Sequence, residues 1–129
     1  KPSDNIEMLI ALGRDPLVIK GTRVDAINGL VDLMDEAQAA SRTFTTPALI
    51  LYGGRDEIVK AGPTRMMLGR LPVQSPETRK IAIYPKAYHM LLRDLDARTV
   101  WAAIVHWIDD PKAPLPSGAD AEAEAFLAP

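Results

Sequence analysis

The stretch T-P-A-L-I-L-Y-G-G-R-D-E-I-V, residues 46–59, constrains this chain more than any other. Residues 48–52 form a short apolar run between breakers, with Pro47 before it and Gly53–Gly54 after it. Such a run reads as a fully buried strand, most often one in a parallel sheet. The two glycines are expected to let the backbone turn sharply as it leaves the sheet, which puts Arg55 and Asp56 at the strand's carboxyl end. In open α/β sheets that end is where ligands and chemistry collect. Asp56 is therefore either a site residue or the N-cap of the next helix.

Around this strand the pattern alternates. Residues 5–12 carry Ile6, Leu9 and Ile10 at helical spacing, closed by Gly13, and Asp15-Pro16 then forces an extended or turn geometry. Thr22 reads as an N-cap, with Asp25 as its capping-box partner. Val24, Ile27, Val31, Met34 and Ala37 follow at intervals of three and four, an amphipathic helix of nearly five turns. After the strand, Pro63 suits the first position of a helix carrying Met66, Met67 and Leu71. Residues 71–76 are a proline-marked polar connection, and residues 80–84 read as a second strand ended by Pro85. Val100, Trp101, Ile104, Val105 and Ile108 make one broad apolar helical stripe, which Pro111, Pro114 and Pro116 stop. The end, S-G-A-D-A-E-A-E-A-F-L-A-P, is low in complexity and reads as a loose tail.

Strands alternating with helices imply a βαβ unit with a parallel pair. Two parallel strands are too few for an independent sheet, because such strands want both faces covered and both edges paired. The pattern predicts missing strands.

Composition narrows the function. A chain of 129 residues is one domain by the usual prior, and its 47% apolar residues suit a globular protein. Interspersed charges with a net of −2 give no electrostatic case for nucleic acid or an anionic membrane. The lack of cysteine removes disulfides, thiolate metal sites and a Cys nucleophile. Two histidines make a His-based metal site improbable, and no cofactor motif is present: the glycines after Tyr52 lack G-x-G-x-x-G spacing. The opening K-P-S-D-N has no signal-peptide character, so a cytoplasmic location is the default.

Asp56 follows the first strand and His89 follows the second. Neighbouring parallel strands deliver their carboxyl ends to one edge, about 5 Å apart. The separation of 33 positions is what one helical crossover with its loops takes up. An Asp and a His brought together there could pair, the carboxylate fixing the imidazole's tautomer and stabilising its protonated form. Taken singly, Asp56 could cap a helix and His89 could be a hydrogen-bonded structural histidine. Glu57 reads as solvated and His106 as a surface histidine. Met66 and Met67 read as packing residues, with an acyl pocket as the alternative.

P-A-L-I-L-Y-G-G-R-D-E-I-V followed by I-Y-P-K-A-Y-H-M-L-L-R-D resembles the last third of an α/β-hydrolase, most closely the monoacylglycerol lipase and lysophospholipase branch. The resemblance spans about residues 15–108. It implies that Asp56 is the acid and His89 the base of a Ser-Asp-His triad, in the fold's chain order of Ser, acid, His. Asp94 matches a frequently acidic position and is read as structural. The implied division is residues 1–45 as the end of the cap with its connecting helix, 46–110 as the C-terminal strand-helix-strand-helix of the core, and 111–129 as a flexible tail.

The family's nucleophile motif G-x-S-x-G and its H-G-x-G-type oxyanion loop are both missing here. None of Ser3, Ser41, Ser75 and Ser117 lies in a strand–turn–helix elbow. The chain therefore reads as the C-terminal portion of an α/β-hydrolase, two parallel strands with flanking helices, inactive alone for want of nucleophile and oxyanion donors. The whole enzyme would cleave a small-molecule or lipid ester. The same acid–base half also serves epoxide hydrolases, dehalogenases and peroxidases, and a non-catalytic interaction module is the rival from another class. The expected partners are the missing N-terminal part of the hydrolase and, through an exposed sheet edge, a second copy of the chain.

Overall fold

A computed structural model of the chain describes residues 1–74 and 78–128. Ser75 and Pro76, at the end of the proline-marked connection, lie outside the described residues. The elements run α1 (Ile6–Arg14), α2 (Val24–Ala40), a 3₁₀ turn (Ser41–Thr43), β1 (Ala48–Gly53), α3 (Ala61–Arg70), β2 (Arg79–Tyr84), α4 (Ala97–Asp109) and α5 (Glu122–Leu127). β1 and β2 pair in parallel, in register from Ala48 opposite Arg79 to Gly53 opposite Tyr84. This is the α/β arrangement of two parallel strands with flanking helices that the pattern predicts.

Side chains alternate across a strand, so Leu49 and Leu51 share a face with Ala82 and Tyr84. α4 covers that face: Val100 and Ala103 are buried against Ala82 and Tyr84, with Ile104 and Trp107 packed beside them. The expected stripe on α4 is only half used, since Trp101, Val105 and Ile108 stay half-exposed or more. A two-stranded sheet is narrower than the apolar arc the helix presents.

The opposite face meets α3 and α5. Residues 111–128 do not form the loose tail that their composition suggests. Leu115 and Ala119 are buried in the core, the Ile83 amide donates to the Ala119 carbonyl at 2.8 Å, and Phe126 of α5 packs on Tyr52 with centroids 5.2 Å apart. Arg65 of α3 stacks over the Phe126 ring and donates from Nε to the Phe126 carbonyl at 2.7 Å. Three apolar anchors and a backbone hydrogen bond overcome the weak propensity of the segment. It wraps the outer edge of β2.

The outer edge of β1 is different. The Ala48 amide donates to Thr78 O and the Gly54 amide to Tyr84 O, so the even-numbered residues face β2. The backbone groups of Leu49 and Leu51 face the other way, where no strand pairs among the described residues.

Two helix starts differ from the sequence reading. Thr22 does not cap α2; the N-cap is Arg23, whose guanidinium holds Asp25, the residue expected to complete a capping box. α3 begins at Ala61 and not at Pro63, which is tolerated in the first turn because its missing N–H needs no intrahelical partner. α2 runs as its periodicity predicts but buries no residue, and Ile27, Leu30, Val31 and Met34 are each about half-exposed. Its inner side and α3 frame a cleft of about 810 Å³ lined by Met34, Phe44, Ile50, Val59, Met67 and Leu71. Among the described residues no helix is long and apolar enough to cross a membrane.

Candidate active site

The loops leaving β1 and β2 are joined to one another. The Arg55 amide donates to Ala87 O at 2.9 Å and the Gly54 amide to Tyr84 O at 2.8 Å. So close an approach explains Gly53 and Gly54. A β-carbon at Gly54 would sit 2.8 Å from Pro85 O, and one at Gly53 would run into the carbonyls of residues 87 and 88. Neither glycine has positive φ. They are there for room, and not for the sharp turn that the sequence suggests.

This zipper sets the side chains of Asp56 and His89 together. His89 Nδ1 lies 2.9 Å from Asp56 Oδ2. The other carboxylate oxygen, Oδ1, accepts from the amides of Ile58 and Val59 at 2.8 and 2.9 Å. Asp56 thus serves two sets of partners, the turn amides on Oδ1 and the imidazole on Oδ2. It is not the N-cap of α3, which is Lys60. The Asp56 side chain is 6% exposed and His89 40% exposed, so the ring shields the carboxylate and keeps its own outer edge toward solvent.

Burial pushes the Asp56 pKa up, but the hydrogen bond from His89, those from Val59 and Ile58, and the imidazole's charge outweigh it and hold the carboxyl below its ordinary value. Asp56 therefore stays ionised as the acceptor of an Nδ1–H. That tautomer leaves Nε2 with its lone pair outward, able to take a proton. A donor that loses its proton to Nε2 would create an imidazolium beside a fixed carboxylate, which is the chemistry of a general base.

Among the described residues no serine stands opposite that nitrogen. Ser3 donates to Asp94 at 2.5 Å, Ser41 to Gln38 O at 2.7 Å, and Ser117 lies 3.5 Å from the Tyr84 hydroxyl; Ser75 lies outside the described residues. Glu57 pairs with the amino group of Lys1. His106, read as a surface residue, is half-buried, and its Nε2 is sealed without a partner. Met67 lines the α2–α3 cleft while Met66 is exposed, and neither Asp56 nor His89 borders that cleft. Among the described residues no three His, Asp or Glu side chains gather closely enough to hold a metal ion.

Sequence reasoning missed what surrounds His89. Its two neighbouring amides are both tied: Tyr88 N–H to Asp94 Oδ2 at 2.7 Å, and Met90 N–H to Pro2 O at 2.9 Å. Asn5 Nδ2 reaches Arg93 O at 3.0 Å, and the Leu95 amide reaches Asp4 Oδ1 at 2.9 Å. The last three of these contacts join residues about ninety positions apart, a distance over which one sequence carries no local signal.

A family model described as serine aminopeptidase, S33, matches residues 1–96, including Asp56, His89 and Asp94. No curated protein matches the chain.

Proposed function

The chain belongs to the serine aminopeptidase S33 family of α/β-hydrolases, and from that premise we propose that it carries the acid and base of a serine hydrolase acting on carboxylic esters. The observation that supports the reading is the 2.9 Å contact between His89 Nδ1 and Asp56 Oδ2 at the carboxyl ends of adjacent parallel strands. In the proposed reaction a serine supplied from outside this 129-residue segment attacks the ester carbonyl. His89 Nε2 takes the hydroxyl proton, Asp56 stabilises the imidazolium, and His89 returns the proton to the leaving alcohol. Water then releases the acid by the same route. The substrate class proposed is a long-chain monoacylglycerol or lysophospholipid, by resemblance of the strand-end motifs.

Amide hydrolysis is the second reading. The family's description names an aminopeptidase, and the same acid–base pair serves an amine leaving group. An aspartate nucleophile upstream would instead mean epoxide or halide chemistry.

The test is Asp56→Asn and His89→Ala in the full-length protein, assayed on monoacylglycerol, lysophosphatidylcholine and an aminoacyl amide. Each variant is expected to lower kcat by roughly 10³–10⁴ on the preferred substrate. Unchanged turnover in both variants overturns the reading, and the preferred substrate decides between ester and amide.

A further inference from the structure

Ser3 has no exposed surface, and its partner Asp94 is 5% exposed. The carboxylate of Asp94 bridges two donors, the Ser3 hydroxyl on Oδ1 at 2.5 Å and the Tyr88 amide on Oδ2 at 2.7 Å. No cation pairs with it among the described residues, so two hydrogen bonds hold a buried carboxylate. That is a costly group to keep where only a turn has to be closed.

Its position gives the reason. The Tyr88 N–H that Asp94 accepts belongs to the same peptide unit as Ala87 C=O, which accepts the Arg55 amide at 2.9 Å. One rigid, planar peptide is thus gripped at both ends. Its N–H is held by Asp94, and its C=O is held by the residue next to Asp56. On the far side of His89, the Met90 amide is tied to Pro2 O, adjacent to Ser3. Polarising one end of a peptide strengthens the hydrogen bond at the other.

We propose that Ser3 and Asp94 are positioning residues that orient the 87–88 peptide and so fix His89 against Asp56. This rests on the reading of Asp56 and His89 as an acid–base pair. It adds that the segment at residues 2–5, which runs directly into α1, is wired to that pair.

The experiment is proton and nitrogen NMR of the imidazoles in the 129-residue chain, with His106→Asn used to assign His89. The wild type is expected to show a protected Nδ1–H resonance for His89 that disappears in Asp56→Ala. Asp94→Ala should lose that resonance and mix the two tautomers while circular dichroism shows a folded chain. Asp94→Asn should restore it, because the amide oxygen can accept from Tyr88 and the amide nitrogen can donate to Ser3. A folded Asp94→Ala chain that keeps the protected resonance overturns the positioning role and leaves the acid–base reading intact. A wild type without an Asp56-dependent resonance overturns both. If Asp94→Ala does not fold, Ser3→Ala decides: faster exchange of the His89 Nδ1 proton and the Tyr88 amide supports the proposal, and unchanged exchange overturns it.

Discussion

Gly53 stands directly against the carbonyl oxygen of Tyr88, and a β-carbon there would also lie 2.7 Å from Ala87 O. Both obstacles are backbone, so no side chain can swing aside. Gly53→Ala is expected to push the loop of His89 away from that of Asp56 and to cost about 1–3 kcal/mol, as overpacking does. Gly29→Ala is the control. Its β-carbon meets nothing within 4 Å inside α2, and the helix should gain roughly 0.5–1 kcal/mol. Urea unfolding of both variants checks the contrast; equal effects would refute it.

The depressed pKa of Asp56 gives a pH signature. As acid is added the unfolded chain takes up this proton first. The stability contributed by the carboxylate is therefore complete above the ordinary value of 3.8 and is lost as pH falls through the lower folded-state value. Asp56→Asn keeps an oxygen for the amides of Ile58 and Val59 but cannot titrate. Its urea midpoint should fall less steeply below pH 3.8 than that of the wild type. Parallel curves would mean that Asp56 is not held ionised by its neighbours.

Phe126→Ala removes the ring that touches Tyr52 and carries Arg65. The loss should be at least the ~0.5–1.5 kcal/mol that such ring pairs contribute beyond burial. Hydrogen exchange at the Ile83 amide, which depends on the Ala119 carbonyl, should accelerate with it. A slow Ile83 amide in Phe126→Ala would show that α5 and the wrap are separately stable.

The backbone groups of Leu49 and Leu51, which no strand pairs among the described residues, and the half-exposed Ile27, Leu30, Val31 and Met34 of α2 are two surfaces suited to association. Self-association is expected when this chain is studied by itself. Sedimentation at rising concentration should show it, and Val31→Lys with Met34→Lys should reduce it. A concentration-independent monomer would contradict the expectation.

What could be read from the sequence was local. The two strands, the helical periods of α2 and α4, and the placement of Asp56 and His89 after strand ends follow from breakers and apolar spacing within a few residues. What could not be read was long-range. The room required at Gly53 depends on a loop more than thirty positions away, and the bond between Ser3 and Asp94 spans 91 positions. The wrap of residues 111–128 was hidden by its composition: alanine and glutamate announce no core, yet Leu115, Ala119 and Phe126 suffice once β2 offers them a surface. The start of α2 failed for a different reason, since Arg23 captures Asp25 before Thr22 can use it.

The hydrogen bond from Ile83 to Ala119 gives the sheet a handed growth rule. With residues 111–128 lying along the outer edge of β2, the margin beyond β1 is the open one among the described residues, and two copies meeting there would leave no further free margin. Contact through the strands would stop at a pair and could not propagate into a fibre. A protein strand seated beyond β1 would likewise shut out the second copy, so completion of the sheet and self-pairing are mutually exclusive fates of the same margin.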